Sequence, residues 1–598
     1  NRLGTRGYTL LKVHFTNSLD TGSGGCYISY NHKIVSMGAW KYCDIRKFIV
    51  SNQKQWLLQI EQWHANLCQV ASNIIPYWWL VPGSRFHVWE PPIYNPMIFV
   101  VAVLDYCKVH NISSITLLSC PEEVVDYFKE MQPDLDYIVD NNTKLVQLLP
   151  ISHIKQFIVN LVRWLFLFLG SFKTVFRKSS LKKIIKEKRT FVFSQKVGGE
   201  VDSNRPDHFF GNMLDDLSLK NDKKIMWIYL THRTSNINSK NIEGKDHLIV
   251  SELVSPVNVI AILWIWIKIM IACKSLDKKL PLFTVGSYTC LKFSRNFYSY
   301  LIKNRLPLTE LQVLFAFKRL LSQSGSVKNI YYPYEEKTIE RGILRAVEIQ
   351  SKNIKTVGYS HSIHNNLHMY YRKRSDALAN SPKPQLYTVT GNSEKKWLLR
   401  EAEIDEDKVV IVGSSRYVDL LPSHSGWKNA KSKLKVLILV GQAYEMKILA
   451  NLLDELEGVF NDCELLIRKY PFGWSSDQDE GIKRIQKHVS DIRVDTKEKM
   501  EKQIEWCDVA IFNSTSSGII SMLYGRISVY VELHDLLYLD PMDQKFSDSI
   551  IRCKTAKEMK LTLNKVRNLS IEEYLNIANN QRKFALQIYS PPNEAVLN

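Results

Sequence analysis

Apolar runs alternate with polar turns in the last third of the chain. Four runs have the length and composition of buried strands, and they cover residues 434–442, 463–473, 507–512 and 527–533. Segments with helical spacing separate them, which predicts the order β-α-β-α-β-α-β. This order is typical of a parallel, doubly wound sheet, in which ligands bind at the carboxyl ends of the strands.

Two of these strands, the second and the third, each end in a short polar cluster. The third strand runs into Asn-Ser-Thr-Ser-Ser-Gly and then a helix, so hydroxyls and backbone N–H groups meet at a helix N-terminus, which favours a phosphate. Arg468 and Lys469 would neutralise phosphate charge, while Glu532 would accept hydrogen bonds from a ribose or base. The predicted nucleotide-binding residues are Gly441, Gln442, Arg468, Lys469, Tyr470, Pro471, Ser514, Thr515, Ser516, Ser517 and Glu532.

The order strand-RKYP, strand-NSTSSG-helix, strand-VYVEL resembles the donor-binding domain of GT-B glycosyltransferases. It is most similar to the sialyltransferase-like and Kdo-transferase-like enzymes of bacterial surface carbohydrates, although Tyr470 stands where those groups have a His. Residues 77–80, 209–211, 334–340 and 358–362 are similar to pieces of the N-terminal half of such proteins. The resemblance implies two Rossmann-like domains that face a cleft. It also implies a nucleotide-sugar donor, and the candidates include a CMP-linked nonulosonic acid or Kdo.

We therefore predict an α/β protein of the GT-B class. Residues 1–421 would form an acceptor-side Rossmann-like domain with an insert at about 150–190, and the polar stretch 422–433 would be a linker. Residues 434–565 would form the nucleotide-sugar-binding Rossmann-like domain, and 566–598 a helix that crosses back to the first domain.

Acid-base chemistry is predicted for residues 331–350, a strand-to-helix junction that carries Glu335, Glu336 and Glu340. The next strand brings His361 and His364 to the adjacent loop. Inverting transfer needs one base to take the proton of the acceptor hydroxyl, and a carboxylate or an imidazole can supply it. We predict Glu335 or Glu340 as the base, with His361 contacting the donor phosphate or the acceptor.

The formal net charge of +19 indicates an anionic partner. Eight basic residues and one Glu lie in 173–189, directly after the apolar run 156–172, which is shorter than the roughly 20 residues of a spanning helix. We expect an interfacial helix on anionic lipid headgroups, the alternative being a core helix followed by a solvated basic face. A second apolar run, 256–272, is predicted to pack in the core, with membrane contact as its alternative.

Ten cysteines without a CxxC pair, and no secretory signal before the first strand, predict a cytoplasmic protein that is peripheral on the inner face of the cytoplasmic membrane. No Asp-x-Asp motif ends a strand and no nucleic-acid motif occurs, so we expect no metal, no further cofactor and no nucleic-acid partner. The first hypothesis is a metal-independent, inverting glycosyltransferase acting on a bacterial surface glycan or lipid-linked acceptor. The alternatives are a CDP-polyol phosphotransferase, a GlcNAc-type epimerase of the same fold, and a non-catalytic scaffold that binds a nucleotide sugar or lipid.

Overall fold

The structure, a computed structural model, contains two large parallel sheets, a smaller mixed sheet and a short hairpin. It describes residues 12–16, 26–29, 41–42, 45–81, 84, 94–112, 114–118, 122–140, 153–172, 189–196, 207, 209–211, 225–231, 247–299, 307–350, 353–364, 381–414, 433–439, 441, 445–454, 456, 458–469, 476–489, 492–495, 498–532 and 549–593.

The first sheet is mixed and has the order β3-β2-β1-β4-β5. Its strands are β1 Lys12–Thr16, β2 Cys26–Ser29, β3 Lys41–Tyr42, β4 Ser114–Leu118 and β5 Asp136–Asp140, and its helices are α1 Ile45–Ser72, α2 Tyr94–Val109 and α3 Glu122–Met131. Strand β1 pairs antiparallel with both β2 and β4, whereas β4 and β5 are parallel. The region 1–421, predicted as one Rossmann-like domain, therefore contains this separate sheet in addition to a Rossmann-like one.

The second sheet has seven strands, and all of its neighbouring strands are parallel. In chain order these are β6 Thr190–Lys196, β7 Ile225–Thr231, β8 His247–Ile249, β11 Asn329–Pro333, β12 Lys355–Ser360, β13 Leu386–Val389 and β14 Val409–Ile411, with the separate hairpin β9 Phe283–Val285 and β10 Tyr288–Cys290 between β8 and β11. Their spatial order is β14-β13-β12-β11-β6-β7-β8. The first strand in the chain thus lies beside the fourth, which is the strand order of a Rossmann fold.

Helices of this middle region pack on the second sheet and on one another. They are α4 His153–Ser171, α5 Val250–Leu253, α6 Pro256–Asp277, α7 Leu291–Phe297, α8 Leu308–Gln323, α9 Thr338–Gln350 and α10 Asn392–Glu401. Pro256 occupies the first turn of α6 and the Ser255 side chain accepts a hydrogen bond from the backbone of Asn258, a usual helix start. As predicted for 256–272, one side of α6 packs in the core; its other side is exposed.

The third sheet is a six-stranded parallel sheet with the order β17-β16-β15-β18-β19-β20. Its strands are β15 Leu434–Leu439, β16 Cys463–Arg468, β17 Ile492–Asp495, β18 Val509–Phe512, β19 Ile527–Val531 and β20 Ile551–Cys553. Its helices are α11 Glu445–Asp454, α12 Ser476–His488, α13 Met500–Trp506, α14 Ser517–Leu523, α15 Ala556–Arg567 and α16 Ile571–Ile588. All residues of β18 and β19 are buried, as expected for strands covered on both faces. Together, the second and third sheets confirm the predicted class of two Rossmann-like domains.

The C-terminal segment connects the third sheet to the second. Helix α16 packs on β19, where the buried Gln581 exchanges hydrogen bonds with the backbone of Ser528. Beyond α16, the backbone N–H of Ser590 donates to Thr390 O at 2.9 Å, and that of Ser414 donates to Ser590 O at 2.9 Å. The chain end is therefore bound along the carboxyl end of β13 and β14. Most of the predicted linker 422–433 lies outside the described residues.

Candidate functional site

Glu335 and His361 lie together at the carboxyl edge of the second sheet. Strand β11 ends at Pro333 and β12 at Ser360, so both side chains belong to the loops that directly follow neighbouring strands. His361 Nε2 is 3.2 Å from Glu335 Oε1, and Ser362 Oγ donates to the same oxygen at 3.4 Å. Lys337 forms an ion pair with the other carboxylate oxygen. The structure thus brings one of the predicted glutamates and the predicted histidine into contact.

The surroundings of Glu335 favour its ionised form. Burial by itself raises the pKa of Glu335, but the hydrogen bond and charge of His361, together with Lys337, outweigh burial and hold this pKa well below its usual range. The carboxylate is therefore charged at neutral pH. Its side chain keeps 20% of its surface exposed, against 9% for His361.

Phe209 covers one side of the His361 ring. The two rings meet edge to face with centroids 4.7 Å apart. Asp207 fixes Phe209, because its Oδ1 accepts from the backbone N–H of Phe209 at 2.9 Å while its Oδ2 accepts from Ser194 Oγ at 2.8 Å. Ser194 belongs to β6, the strand beside β11, so this loop lies at the point where the strand order of the second sheet reverses. The sequence analysis singled out Phe209 but not Asp207 or Ser194. Asp207 could have been noticed as an Asp placed two residues before the aromatic pair.

Glu340 and Glu336 serve the local structure instead of joining this pair. Glu340 is 1% exposed and its carboxylate accepts from the backbone N–H groups of Glu335 and Lys337, each at 3.1 Å. Glu336 forms a buried ion pair with Arg341 and accepts from Tyr334 Oη at 3.3 Å. Of the two predicted bases, only Glu335 contacts His361; Glu340 caps the turn before α9.

His364 belongs to a separate buried cluster. Its Nε2 is 2.9 Å from Ser360 Oγ, its Nδ1 pairs with Glu394, and its ring stacks on Trp397 with centroids 4.7 Å apart. The backbone N–H of His364 also donates to Glu394 Oε2 at 2.9 Å. This cluster fixes the turn that carries His361.

The third sheet has its own reversal point, between β15 and β18, and Gly441 and Ser514 meet there. Glu445, in the first turn of α11, joins them: it accepts from the backbone N–H of Gly441 at 2.7 Å and from the Ser514 hydroxyl. Glu445 is 3% exposed and was not predicted. Gly441 and Ser514, two of the predicted nucleotide-binding residues, are thus held against each other at the reversal point.

The hydroxyl turn after β18, residues 514–517, is half-buried. Thr515 Oγ1 donates to Ser517 Oγ at 3.2 Å and accepts from the Ser517 backbone N–H at 3.2 Å. Asn513 Nδ2 donates to Val531 O at 2.5 Å, which ties the turn to β19. The hydroxyls of Thr515, Ser516 and Ser517 therefore lie on a turn whose first residue, Asn513, is bound to β19.

The remaining predicted donor residues have protein partners or fall outside the described chain. Arg468 Nη1 donates to Glu498 O at 3.0 Å and to Gln503 Oε1 at 2.7 Å, and burial lowers the pKa of its guanidinium. Lys469 pairs with Asp479 at 3.0 Å. Arg468 therefore holds β16 to the segment around α13, and its contact with phosphate stays a prediction.

Glu532, the last predicted donor residue, is paired with Arg552 at 3.2 Å and with Lys554 at 3.3 Å. Gln442, Tyr470 and Pro471 lie outside the described residues.

The loop that carries His361 contacts the apolar core of the third sheet. Ile363, two residues after His361, packs against an apolar cluster that includes Leu439 and Phe512, the last residues of β15 and β18, and Ile588 and Tyr589 at the end of α16. The second and third sheets are therefore joined beside the loop that carries His361. Within the described parts of the chain, His, Cys, Asp and Glu form no group of three or more that could hold a metal ion.

Comparisons with known proteins found similarity at the level of solved structures. HepE from Anabaena in complex with UDP has a TM-score of 0.37 at 9% identity, over 69% of this chain and 97% of that one. MurG from Acinetobacter baumannii has a TM-score of 0.35 at 11% identity, over 68% and 97%. A UDP-GlcNAc 2-epimerase from Neisseria meningitidis bound to UDP-GlcNAc has a TM-score of 0.38 at 11% identity, over 69% and 100%.

No family model and no curated protein matches the chain. The similarity assigns neither activity nor substrate. The assignment of two Rossmann-like domains comes from the strand orders of the second and third sheets.

Proposed function

We propose that this chain is a glycosyltransferase that takes its sugar from a nucleotide-sugar donor. One observation carries the proposal: each of two Rossmann-ordered sheets has polar side chains at its carboxyl edge near the reversal of strand order, Glu335 and His361 on one and Gly441 and residues 514–517 on the other. Ligands of open parallel sheets bind at the reversal of strand order. We propose that the two edges open onto one cleft, which would suit a reaction between two substrates, one bound to each sheet.

The donor would bind at the third sheet. The close contact of Gly441 with Ser514 holds the turns after β15 and β18 together, and the half-buried hydroxyls of Thr515, Ser516 and Ser517 would donate to phosphate oxygens. We keep Lys469 as a candidate for the phosphate charge, because it directly follows the last residue of β16, at the carboxyl edge of the third sheet, and its ion-pair partner Asp479 is half-exposed. The candidate donors include CMP-linked sugars, such as a CMP-linked nonulosonic acid or CMP-Kdo.

The acceptor hydroxyl would lose its proton to the Glu335 and His361 pair. A carboxylate with a low pKa is a weak base on its own, so we assign proton uptake to the hydrogen-bonded pair: the His361 imidazole would take the proton, and the Glu335 carboxylate 3.2 Å away would stabilise the imidazolium that forms. A single base and one displacement would invert the anomeric carbon. The acceptor class is a bacterial surface glycan or a lipid-linked glycan.

We propose that transfer requires no metal ion. The support lies in how the acidic groups are used: Glu335 pairs with His361 and Lys337, Glu445 accepts from Ser514 and Gly441, and Glu532 pairs with Arg552 and Lys554. Transfer in the presence of EDTA tests this directly, and strict dependence on a divalent ion would contradict it.

A thermal-shift panel of nucleotide sugars tests donor binding, since a ligand that binds the native state raises Tm by mass action. We expect one nucleotide class to raise Tm. In the Ser516→Ala/Ser517→Ala variant the same ligand concentration should give a smaller Tm shift, corresponding to an affinity at least about tenfold lower. The matched control is Ser322→Ala, which removes an exposed hydroxyl on α8. Stabilisation without sugar release would indicate the non-catalytic scaffold, and transfer of a polyol phosphate from a CDP-polyol would indicate the alternative chemistry.

A further inference from the structure

Two helices in contact present large apolar side chains on the outside of the protein. Trp164 Nε1 of α4 donates to Val259 O of α6 at 3.0 Å, and the two helices pack against each other. The exposed apolar residues, which we call the two-helix face, are Ile158, Leu161, Val162, Leu165, Phe166, Leu169 and Phe172 from α4 and its end, and Val257, Ile260, Trp264, Ile267 and Ile271 from α6. Contiguous exposed apolar surface of this kind marks an interaction site.

The opposite sides of both helices are anchored in the protein. Asn160 and Ser171 of α4 are buried, and Ile262 and Ile269 of α6 belong to the main apolar core. By contrast, Trp264 is 57% exposed, although it lies in the middle of α6. The apolar residues of each exposed stripe recur every three or four positions, so the exposure is a property of one helix side and not of loose helix ends.

Basic residues accompany the two-helix face. Arg163 and Lys268 are exposed, and Lys268 Nζ lies 5.4 Å from the centre of the Trp264 ring. In the sequence 153–189, Glu187 is the single acidic residue, while 173–189 alone contains eight basic ones. Apolar side chains beside cationic ones match the boundary between acyl chains and anionic headgroups. Association with a second copy would instead oppose two chains of net charge +19.

We infer that the two-helix face docks on an anionic membrane surface, with α4 and α6 lying parallel to it. Helix α6 has 22 residues and a most apolar stretch of mean hydropathy 2.0, which is long and apolar enough to cross a membrane. In this fold Ile262, Ile269 and Leu276 are fully buried in the core, so only the opposite side of α6 is presented to a membrane. In this arrangement Trp264 and Phe166 insert shallowly, with Lys268 and Arg163 at headgroup level. It accounts for the exposed apolar side chains while the opposite sides of α4 and α6 stay buried in the protein.

This inference adds α6 to the interfacial segment predicted from 156–172, and it holds whether or not the chain transfers a sugar. If the proposed function is also correct, the docked enzyme would meet an acceptor carried by a lipid.

Co-sedimentation of the full chain with phosphatidylcholine vesicles, with and without phosphatidylglycerol, tests the inference. Wild type should pellet with the anionic vesicles, and added salt should weaken binding because surface charges are screened. The variant Ile260→Gln/Trp264→Gln/Ile267→Gln should bind anionic vesicles at least about tenfold more weakly, since it removes apolar area from the interface. The control Leu561→Gln/Ile571→Gln changes exposed apolar residues on α15 and α16 and should bind like wild type.

A second variant, Phe166→Gln/Leu169→Gln, tests α4 in the same way. Equal melting temperatures of all proteins would show that the exposed substitutions leave the fold intact. Vesicle binding by the α6 variant equal to that of wild type would overturn the inference, as would wild type that never pellets. A dimer of wild type that the α6 variant dissociates, without any vesicle binding, would assign the face to a second copy of the chain.

Discussion

Gly441 lies directly against Ser514 at the reversal point of the third sheet. A Cβ atom on Gly441 would come within 2.6 Å of Ser514 Oγ and 2.7 Å of its carbonyl oxygen. Glu445 accepts from both residues and holds this contact. The turn after β15 and the turn after β18 therefore form one packed unit, and the proposed donor site depends on their spacing.

Replacing Gly441 with Ala should disturb this unit. Because the nearest carbonyl belongs to the backbone, one of the turns must move, and overpacking of this kind costs about 1–3 kcal/mol of unfolding free energy. Nucleotide-sugar affinity should fall at least about tenfold. Denaturant unfolding and calorimetric binding measure the two effects. Gly325→Ala is the control, because a Cβ there would meet nothing within 4 Å. Binding unchanged in Gly441→Ala would place the donor elsewhere.

Glu335 should make stability depend on acid pH. Its pKa in the folded protein lies below the ordinary value of 4.5, so its pairing stabilises the fold above that pH and the contribution disappears as pH falls through the folded pKa. The difference in unfolding free energy between wild type and Glu335→Gln should therefore shrink on acidification from neutral pH. Urea unfolding at several pH values measures it. Glu348→Gln, which alters an exposed ion pair with Arg345, should show little such change.

The attachment of the chain end should depend on Gly391. A Cβ at this position would lie 2.4 Å from Gln587 O and 2.5 Å from Ile588 O, both backbone atoms. We expect Gly391→Ala to lower the unfolding free energy by about 1–3 kcal/mol and to expose the C-terminal segment to proteases. Limited proteolysis read by mass spectrometry checks the second effect. Cleavage near residue 590 at the wild-type rate would show that the segment does not need this contact.

Four of the six strands of the third sheet, β15, β16, β18 and β19, could be predicted from sequence because parallel strands buried on both faces appear as short apolar runs. The edge strands β17 and β20 were missed, because they are short and only partly buried. The mixed first sheet was missed because β1 pairs with β4, about a hundred residues later, and no local pattern reveals that pairing. Glu335 and His361 could be predicted to lie together, because the carboxyl ends of neighbouring parallel strands lie at the same edge of a sheet.

Several side chains could not be assigned without coordinates. The partnership of Glu445 with Ser514 spans 69 positions, and Arg468 binds groups of a neighbouring segment that the sequence does not connect to it. Helix α6 is apolar on all sides, so composition cannot distinguish its core side from its exposed side; only the packing of Ile262 and Trp264 does.

The most direct test compares donor consumption by wild type and Glu335→Gln. Purified protein is incubated with each nucleotide sugar of the panel and a bacterial membrane and glycan extract, and release of the nucleotide and transfer of labelled sugar are followed. We predict that wild type consumes one donor, and that Glu335→Gln binds this donor with unchanged affinity but transfers about 10²–10⁴-fold more slowly. Failure of wild type to consume any donor, or near-normal transfer by Glu335→Gln, would contradict the proposed site.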